Sequence, residues 1–393
     1  MSSPETNGKL ALFPDLRTEA DDAPRTEGML PSQEIRRLIA QGNIRAFSEI
    51  TEQQIQPASL DLRLGEVGYR VQASFVPQRR RVEAGIVEAN LRMGRVDLTR
   101  TTVFEKGCVY IVPLLEEVHL PENLSARANP KSSTGRLDIF TRLITDYGEE
   151  FERVRQGYKG PLYAEIASRT FSVVLRAGMT LNQLRFLRGK PKPSDRATTA
   201  LEREEPLIYD SEGNPSRAQI TKKSVLLSVN LQGSSPSEVI AYQAKRNAPI
   251  IDLANLNHYD PEDFWDIKRD TGKRGLILEP GDFYILASNE KVSVPPDWAA
   301  EMVSMDQDIG EFRIHYAGFF DPGFGHGGDD VRGTRAVLEV RAHEVPFLIE
   351  HGQIMGRIMY IPLLSRPDKI YGADIGSSYQ RQGLALSKHF KKV

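Results

Sequence analysis

Apolar and polar positions alternate along most of this chain, in short runs cut off by Gly, Pro and Asn. That period-2 pattern is what strands with one face in a core and one in water leave behind. "ASLDLRLGEVGYRV" (58–71) predicts one such strand, and the same texture continues to about residue 187. Ahead of it, "PSQEIRRLIAQGNI" (31–44) switches to helical spacing, with Ser32 as the expected N-cap and Ile35, Leu38 and Ile39 on one face. "RGKPKPSDRATTALEREEP" (188–206) is charged, contains Pro and has little to bury, so it predicts a surface connection. A second strand-rich region runs from "SVLLSVNLQG" (224–233) to "GQIMGRIMYIPLL" (352–364), with "YDPEDFWDIKRDTG" (259–272) as a short helix and turn inside it.

The two regions read as copies. "FEKGCVYIVPLLEEVHLPENL" (104–124) lies over "LEPGDFYILASNEKVSVPPDW" (278–298) without a gap, so that Gly107 meets Gly281, Tyr110 meets Tyr284 and Pro121 meets Pro295. The same offset of 174 carries Glu165 onto Glu339 and Gly178 onto Gly352. One register over so many strands predicts a duplicated β-domain, against the alternative of two unrelated β-domains with similar turns. The expected division is a polar arm over 1–28, a first domain over 29–187, a linker over 188–223, a second domain over 224–365 and a tail over 366–393.

Composition narrows the function classes. At 393 residues the chain has room for two or three domains, and a net charge of −2 supplies no global field for nucleic acid or membrane. Any anion site must therefore be built locally. The single cysteine, Cys108, excludes an intramolecular disulfide framework and a multi-cysteine zinc site, and it fits a reducing cytoplasm. No apolar run reaches the ~18 residues of a membrane span, and residues 1–28 lack the order of a signal peptide.

Three stretches concentrate reactive side chains. "ANPKSSTGRLDIF" (128–140) sets Lys131, Ser132, Ser133 and Arg136 around a turn whose amides can point outward. Hydroxyls, amides and cations together suit a phosphate, although an ordinary polar loop fits "KSSTGR" as well. Glu165, in "GPLYAEIAS", either faces solvent or faces a pocket, where desolvation would raise its pKa and suit it to proton transfer. "HYAGFFDPGFGHG" (315–327) is at least a Pro-Gly turn between aromatics, and "IYGADIGSSYQRQGLALSKHF" (370–390) is a Gly/Ser-rich tail that either frays or closes over a ligand.

In this order and spacing the pieces resemble the deoxycytidine triphosphate deaminases, of the trimeric deoxyuridine triphosphatase-like fold. That family carries Ser-Ser-x-x-Arg, then Gly-x-x-Asp-Pro-Gly-aromatic, a strand ending in Leu-Glu, a Gly-Gln-Ile strand and a Tyr-Gln-x-Gln lid. The resemblance covers about residues 30–187 and again 224–390. It implies a mainly β protein: two tandem dUTPase-like distorted β-barrel (β-clip) domains with a few short helices. It also implies hydrolysis of dCTP to dUTP and ammonia, in the cytoplasm, by a homo-oligomer with sites between domains and with dTTP as a possible inhibitor.

Carried over residue by residue, the first copy supplies Glu165 as general acid/base, Ser132 to position water and Arg136 to steady the site, with Lys131 and Ser133 beside the phosphates. The second copy supplies Asp321, Phe324 and the lid residues Tyr371, Tyr379 and Gln382. Each copy departs where the other conforms. The first has "TDYGEEFERVRQGYKG" (145–160) in place of Asp-Pro-Gly. The second has "SMDQDIG" (304–310), with Asp306 and Asp308 where the Ser/Arg set belongs, and Ser378 where a lid lysine is usual. The expectation is one composite site, with Glu165 active and Glu339 vestigial. A lone cysteine cannot form a zinc deaminase centre, so zinc is not expected, and Mg2+ is expected only with the triphosphate. A dUTPase, a bifunctional deaminase–diphosphatase, a non-catalytic nucleotide-binding paralogue and a β-rich carbohydrate module are the alternatives.

Overall fold

The computed structural model describes residues 25–233, 238–270, 272, 275–303, 312–314, 318–327, 331–342, 344–372, 379–380 and 382–392. In the first half, Val109–His119 is the long central strand of an antiparallel sheet. Lys159–Ser168 pairs along one side of it and in turn carries Ile139–Thr145, while Val67–Val71 and Ile44–Ala46 share its other edge. A second sheet sets Thr180–Arg188 between Leu124–Pro130 and Leu60–Arg63. Alternate residues of both sheets, Val112, Ala164 and Ile166 from one and Leu60, Leu62, Leu184 and Phe186 from the other, meet in one buried core.

The second half repeats this strand for strand. Phe283–Val292 pairs with Thr334–Ala342, and Trp298–Val303 with Ile354–Pro362. Register repeats as well: Glu165 faces Ile111, and Glu339 faces Ile285, each pair displaced by the same 174 positions. Tyr110 and Tyr284 accept equivalent hydrogen bonds from the amides of Glu105 and Glu279.

The halves meet along a continuous apolar seam, in which Phe171 packs edge-on against Phe264 and Trp265, and Phe390 joins them. Ile251–Asp252 of the second half adds a parallel strand to Val173–Leu175 of the first. Ion pairs flank the seam: Arg127 with Glu301 at 3.1 Å, Arg185 with Asp321 at 3.0 Å, and buried Arg341 with Asp138.

Several local expectations are corrected. The 31–44 helix is Ser32–Ala40 with Pro31 at the N-cap, and the Ser32 hydroxyl donates to Asp368 instead of capping. The 58–71 strand is two, Leu60–Arg63 and Val67–Val71, and 259–272 is one helical turn, Pro261–Phe264, followed by the strand Trp265–Arg269. The expected surface connection contains the helix Asp195–Glu204, capped by Ser194. Its Leu201 enters the second core with Leu207 and Ile208, which follow it, so an amphipathic face escaped notice among the charges. Of the expected arm, residues 1–24 lie outside the described residues, and Gly28–Met29 is a strand paired with Arg188 and Leu187. Among the described residues no helix is long and apolar enough to cross a membrane.

Candidate active site

A cleft of about 200 Å³ opens at the seam, lined from both halves. Its first-half wall begins where Leu124–Pro130 ends. Lys131 is extended, and Ser132–Gly135 forms a single helical turn. Amides of Thr134, Gly135 and Arg136 close that turn on the carbonyls of Lys131 and Ser132. The expected outward nest thus narrows to the first two amides, those of Ser132 and Ser133, which a helix start leaves without intrahelical partners. Lys131, Ser132, Ser133 and Arg136 all line the cleft. The Lys131 ammonium bonds to Asp61 and, at 3.1 Å, to the Thr180 hydroxyl.

The second-half wall is Gly318, Phe319, Phe320, Asp321 and Phe324. At Gly323 the chain takes φ +93° against Ile370 and Tyr371, a turn that only glycine makes without strain. This sets the Phe324 ring 5.1 Å from Phe320 and 5.8 Å from Tyr371. On Thr334–Ala342, Val337 and Glu339 are two apart and point to the same side, into the cleft. Burial pushes the Glu339 carboxyl up to about 8, against the pull of Arg136.

The tail closes the remaining side. Tyr379 stacks on Arg136, with the guanidinium carbon 3.9 Å from the ring centre, and its hydroxyl accepts the Lys388 amide at 3.2 Å. Arg136 also donates to the carbonyls of Ala385 (3.0 Å) and Leu386 (3.4 Å), and the Ser387 hydroxyl donates to the Ser133 carbonyl at 2.7 Å. Gln382 donates to the Arg335 carbonyl at 3.2 Å, and its own Oε1 is buried without a partner. Arg381, Ser378, Asp306 and Asp308 lie outside the described residues.

Glu165 is the correction. It does not line the cleft: Arg142 donates to its Oε1 through Nε (3.0 Å) and a terminal nitrogen. Arg142 is in turn clamped between the rings of Phe151 and Phe140, 3.6 and 4.6 Å away. The helix Val82–Glu88 then covers this face, with Val82 and Ile86 packed on Ile111, Ile144 and Tyr163. Equivalent strand positions therefore have opposite surroundings, and it is Glu339 that meets Ser132 and Arg136 across the seam.

Sequence reasoning missed Asp61, Gln183, Gln56 and Lys388, which also line the cleft. Asp61 carried a signal: it is the one charged residue between apolar neighbours in "SLDL", on a strand buried on both faces. Burial raises its carboxyl, opposed by Lys131. Burial and Lys131 together lower the Lys388 ammonium. The cleft thus sets Lys131, Arg136 and Lys388 against Asp61, Asp321 and Glu339. Cations thus lie beside a carboxyl whose pKa burial raises to about 8, which suits a charged ligand whose reaction needs a proton moved.

Comparison with known proteins follows this geometry. Family models described as the N-terminal and C-terminal domains of 2′-deoxycytidine 5′-triphosphate deaminase match residues 26–190 and 194–390. The crystal structure of that deaminase from Agrobacterium tumefaciens superposes with a TM-score of 0.81 at 47% identity, covering 86% of this chain and 100% of that one. A dCTP deaminase of Halorubrum lacusprofundi is 33% identical over 136 residues, 34% of this chain, and the match spans 64% of that protein. A dUMP-forming dCTP deaminase of Halobacterium salinarum is 33% identical over 111 residues, 27% of this chain and 52% of that protein. With the two models in tandem from residue 26 to residue 390, the chain belongs to the 2′-deoxycytidine 5′-triphosphate deaminase family.

Proposed function

We propose that the cleft binds dCTP and hydrolyses its exocyclic amine, and that Glu339, not Glu165, moves the protons. One observation carries this reading: a buried carboxyl with a pKa of about 8 faces the Ser132–Arg136 turn. A group whose pKa lies about one unit from neutral pH takes a proton in its ionised form and gives it back cheaply. Glu339 takes a proton from water as the oxygen attacks C4 and delivers it to N3. It then passes the hydroxyl proton to the amino group, and ammonia leaves. Ser132 holds the water and Arg136 the developing charge, already oriented before reaction.

Lys131, Ser133 and Lys388 face the triphosphate, Asp321 and Phe324 the nucleoside, and Tyr371, Tyr379 and Gln382 close over it. Among the described residues no cluster of three or more His, Cys, Asp or Glu side chains is placed to hold a metal. Mg2+ would arrive with the triphosphate as part of the substrate, and it would neutralise phosphate charge beside Lys131 and Lys388. The two strand sets are read as dUTPase-like β-barrel units, a reading supported by their shared register.

A second reading, deamination followed by release of pyrophosphate, is favoured by the dUMP-forming name of the Halobacterium relative. Purified protein with dCTP decides: ammonia with dUTP supports the first, ammonia with dUMP and pyrophosphate the second. Release of no ammonia sinks both.

A further inference from the structure

Gln183 and Arg185 are two apart on Thr180–Arg188 and share a face. Gln183 lines the cleft, whereas Arg185 lies behind its wall with no exposed side-chain surface. From the first half Arg185 reaches across the seam. One terminal nitrogen donates to the Ala300 carbonyl at 2.9 Å; the other donates to the Phe320 carbonyl at 2.9 Å and to Oδ1 of Asp321 at 3.0 Å. Its guanidinium carbon lies 4.0 Å from the centre of the Phe319 ring. One planar fork therefore grips three consecutive residues of the opposite wall, Phe319, Phe320 and Asp321.

Strand packing alone does not call for this arginine. Burying a guanidinium costs several kcal/mol before its partners offset it. The repeat shows the cheaper solution, for Met359 occupies the equivalent place and packs against Met29, Ala299 and Ile361. Arg185 also stands directly opposite Arg127 in the sheet, a like-charge pairing that is unfavourable. Glu301 answers Arg127 at 3.1 Å, and Asp321 answers Arg185.

We propose that Arg185 is a positioning residue for the cleft: it fixes the Asp321 carboxylate in the orientation that receives the nucleoside, which rests on reading this cleft as the dCTP site. The effect then falls on binding. A lysine offers a point charge and cannot span the carbonyls and the carboxylate at once.

The test is a double-mutant cycle of Arg185→Met and Asp321→Asn, with Arg185→Lys beside it, reading kcat, KM and the calorimetric Kd for dCTP. Arg185→Met is expected to raise KM and Kd about tenfold or more, kcat staying within about threefold, since each factor of ten reflects ~1.4 kcal/mol of binding. Arg185→Lys restores only a minor part, and the double variant binds no worse than Asp321→Asn alone. Affinity within twofold of wild type in Arg185→Met, or additive losses in the double variant, overturns the proposal. Should Arg185→Met fail to fold with Asp321 left unpaired, the double variant removes both charges, and any affinity loss beyond Asp321→Asn overturns it equally. Wild type that binds dCTP but releases no ammonia fails the activity reading alone, and the cycle is then read in Kd. Wild type that does not bind dCTP fails both.

Discussion

Glu339 of the second half rests directly on Gly135 of the first: a β-carbon at position 135 would overlap the Glu339 carboxylate. Gly135 lies in a helical turn, where alanine would ordinarily be favoured by about 1 kcal/mol. The glycine is therefore kept for space across the seam. It also explains how a carboxyl from one half and the Ser132–Arg136 turn from the other come close enough to share a ligand.

Gly135→Ala is expected to displace that carboxylate while leaving the backbone content. A misplacement of the order of 1 Å in a reacting group costs about 100-fold in rate. We expect kcat to fall by that factor, with the melting temperature little changed. Steady-state kinetics beside thermal melting check this; a kcat within threefold of wild type would show that the contact is not part of the catalytic geometry.

The two equivalent glutamates separate by substitution. Glu339→Gln should lower turnover by roughly 1,000-fold, within the range that general acid–base groups contribute. Glu165→Gln should leave turnover within about threefold but cost stability on the order of 2 kcal/mol, because it removes the counter-charge of the half-buried Arg142. Ammonia release and urea midpoints measured on both variants decide the matter. Loss of activity in Glu165→Gln without loss of stability would return the catalytic role to the first half.

Why the sequence pointed to Glu165, while Glu339 lines the cleft, is instructive. The repeat was legible because glycines, prolines and tyrosines at turns mark strand ends at constant spacing, and paired strands keep that register. The gathering of Ser132, Ser133 and Arg136 with Asp321, Phe324, Tyr371, Tyr379 and Gln382 around one cleft also follows the order of their motifs. Glu165 and Glu339, however, occupy the same position on equivalent strands, so local pattern cannot rank them. What ranks them is distant in sequence: Arg142 and the Val82–Glu88 helix close one face, and Gly135 opens onto the other. Arg185 was invisible for the same reason, since its partners lie 115 and 136 positions away.

Glu339 also makes stability depend on pH. Its carboxyl is raised from an ordinary 4.5 to about 8 in the fold, and that of Glu152 likewise. Between those values the folded chain holds protons that the unfolded chain has released, so folding stability falls as pH rises. The slope is at most about 1.4 kcal/mol per pH unit for each group, flattening below pH 4.5 and above about 8. Denaturant midpoints between pH 5 and 8 should therefore decline in wild type and decline less in Glu339→Gln, making that inactive variant the more stable of the two at pH 8. Parallel slopes would mean that Glu339 is ionised in the fold at neutral pH.

The tail supplies the last test, because an aromatic anchor holds its end against the seam. Phe390 sits 5.3 Å from Phe264 and 5.8 Å from Trp265, ring to ring, while the carbonyls of Lys388 and His389 accept the amides of Asn257 and His258 at 2.9 Å. Upstream of that anchor, the Ala385 and Leu386 carbonyls hold Arg136, and Tyr379 stacks on it. Removing a buried phenyl ring costs about 3–5 kcal/mol in a core, but here the segment can open locally, so the whole fold need not bear that cost. Phe390→Ala should thus lower the melting point only modestly, speed amide exchange at Asn257 and His258, and raise KM for dCTP about tenfold, with Phe390→Leu between it and wild type. Exchange that quickens while KM holds would mean that the tail packs on the seam without serving the cleft.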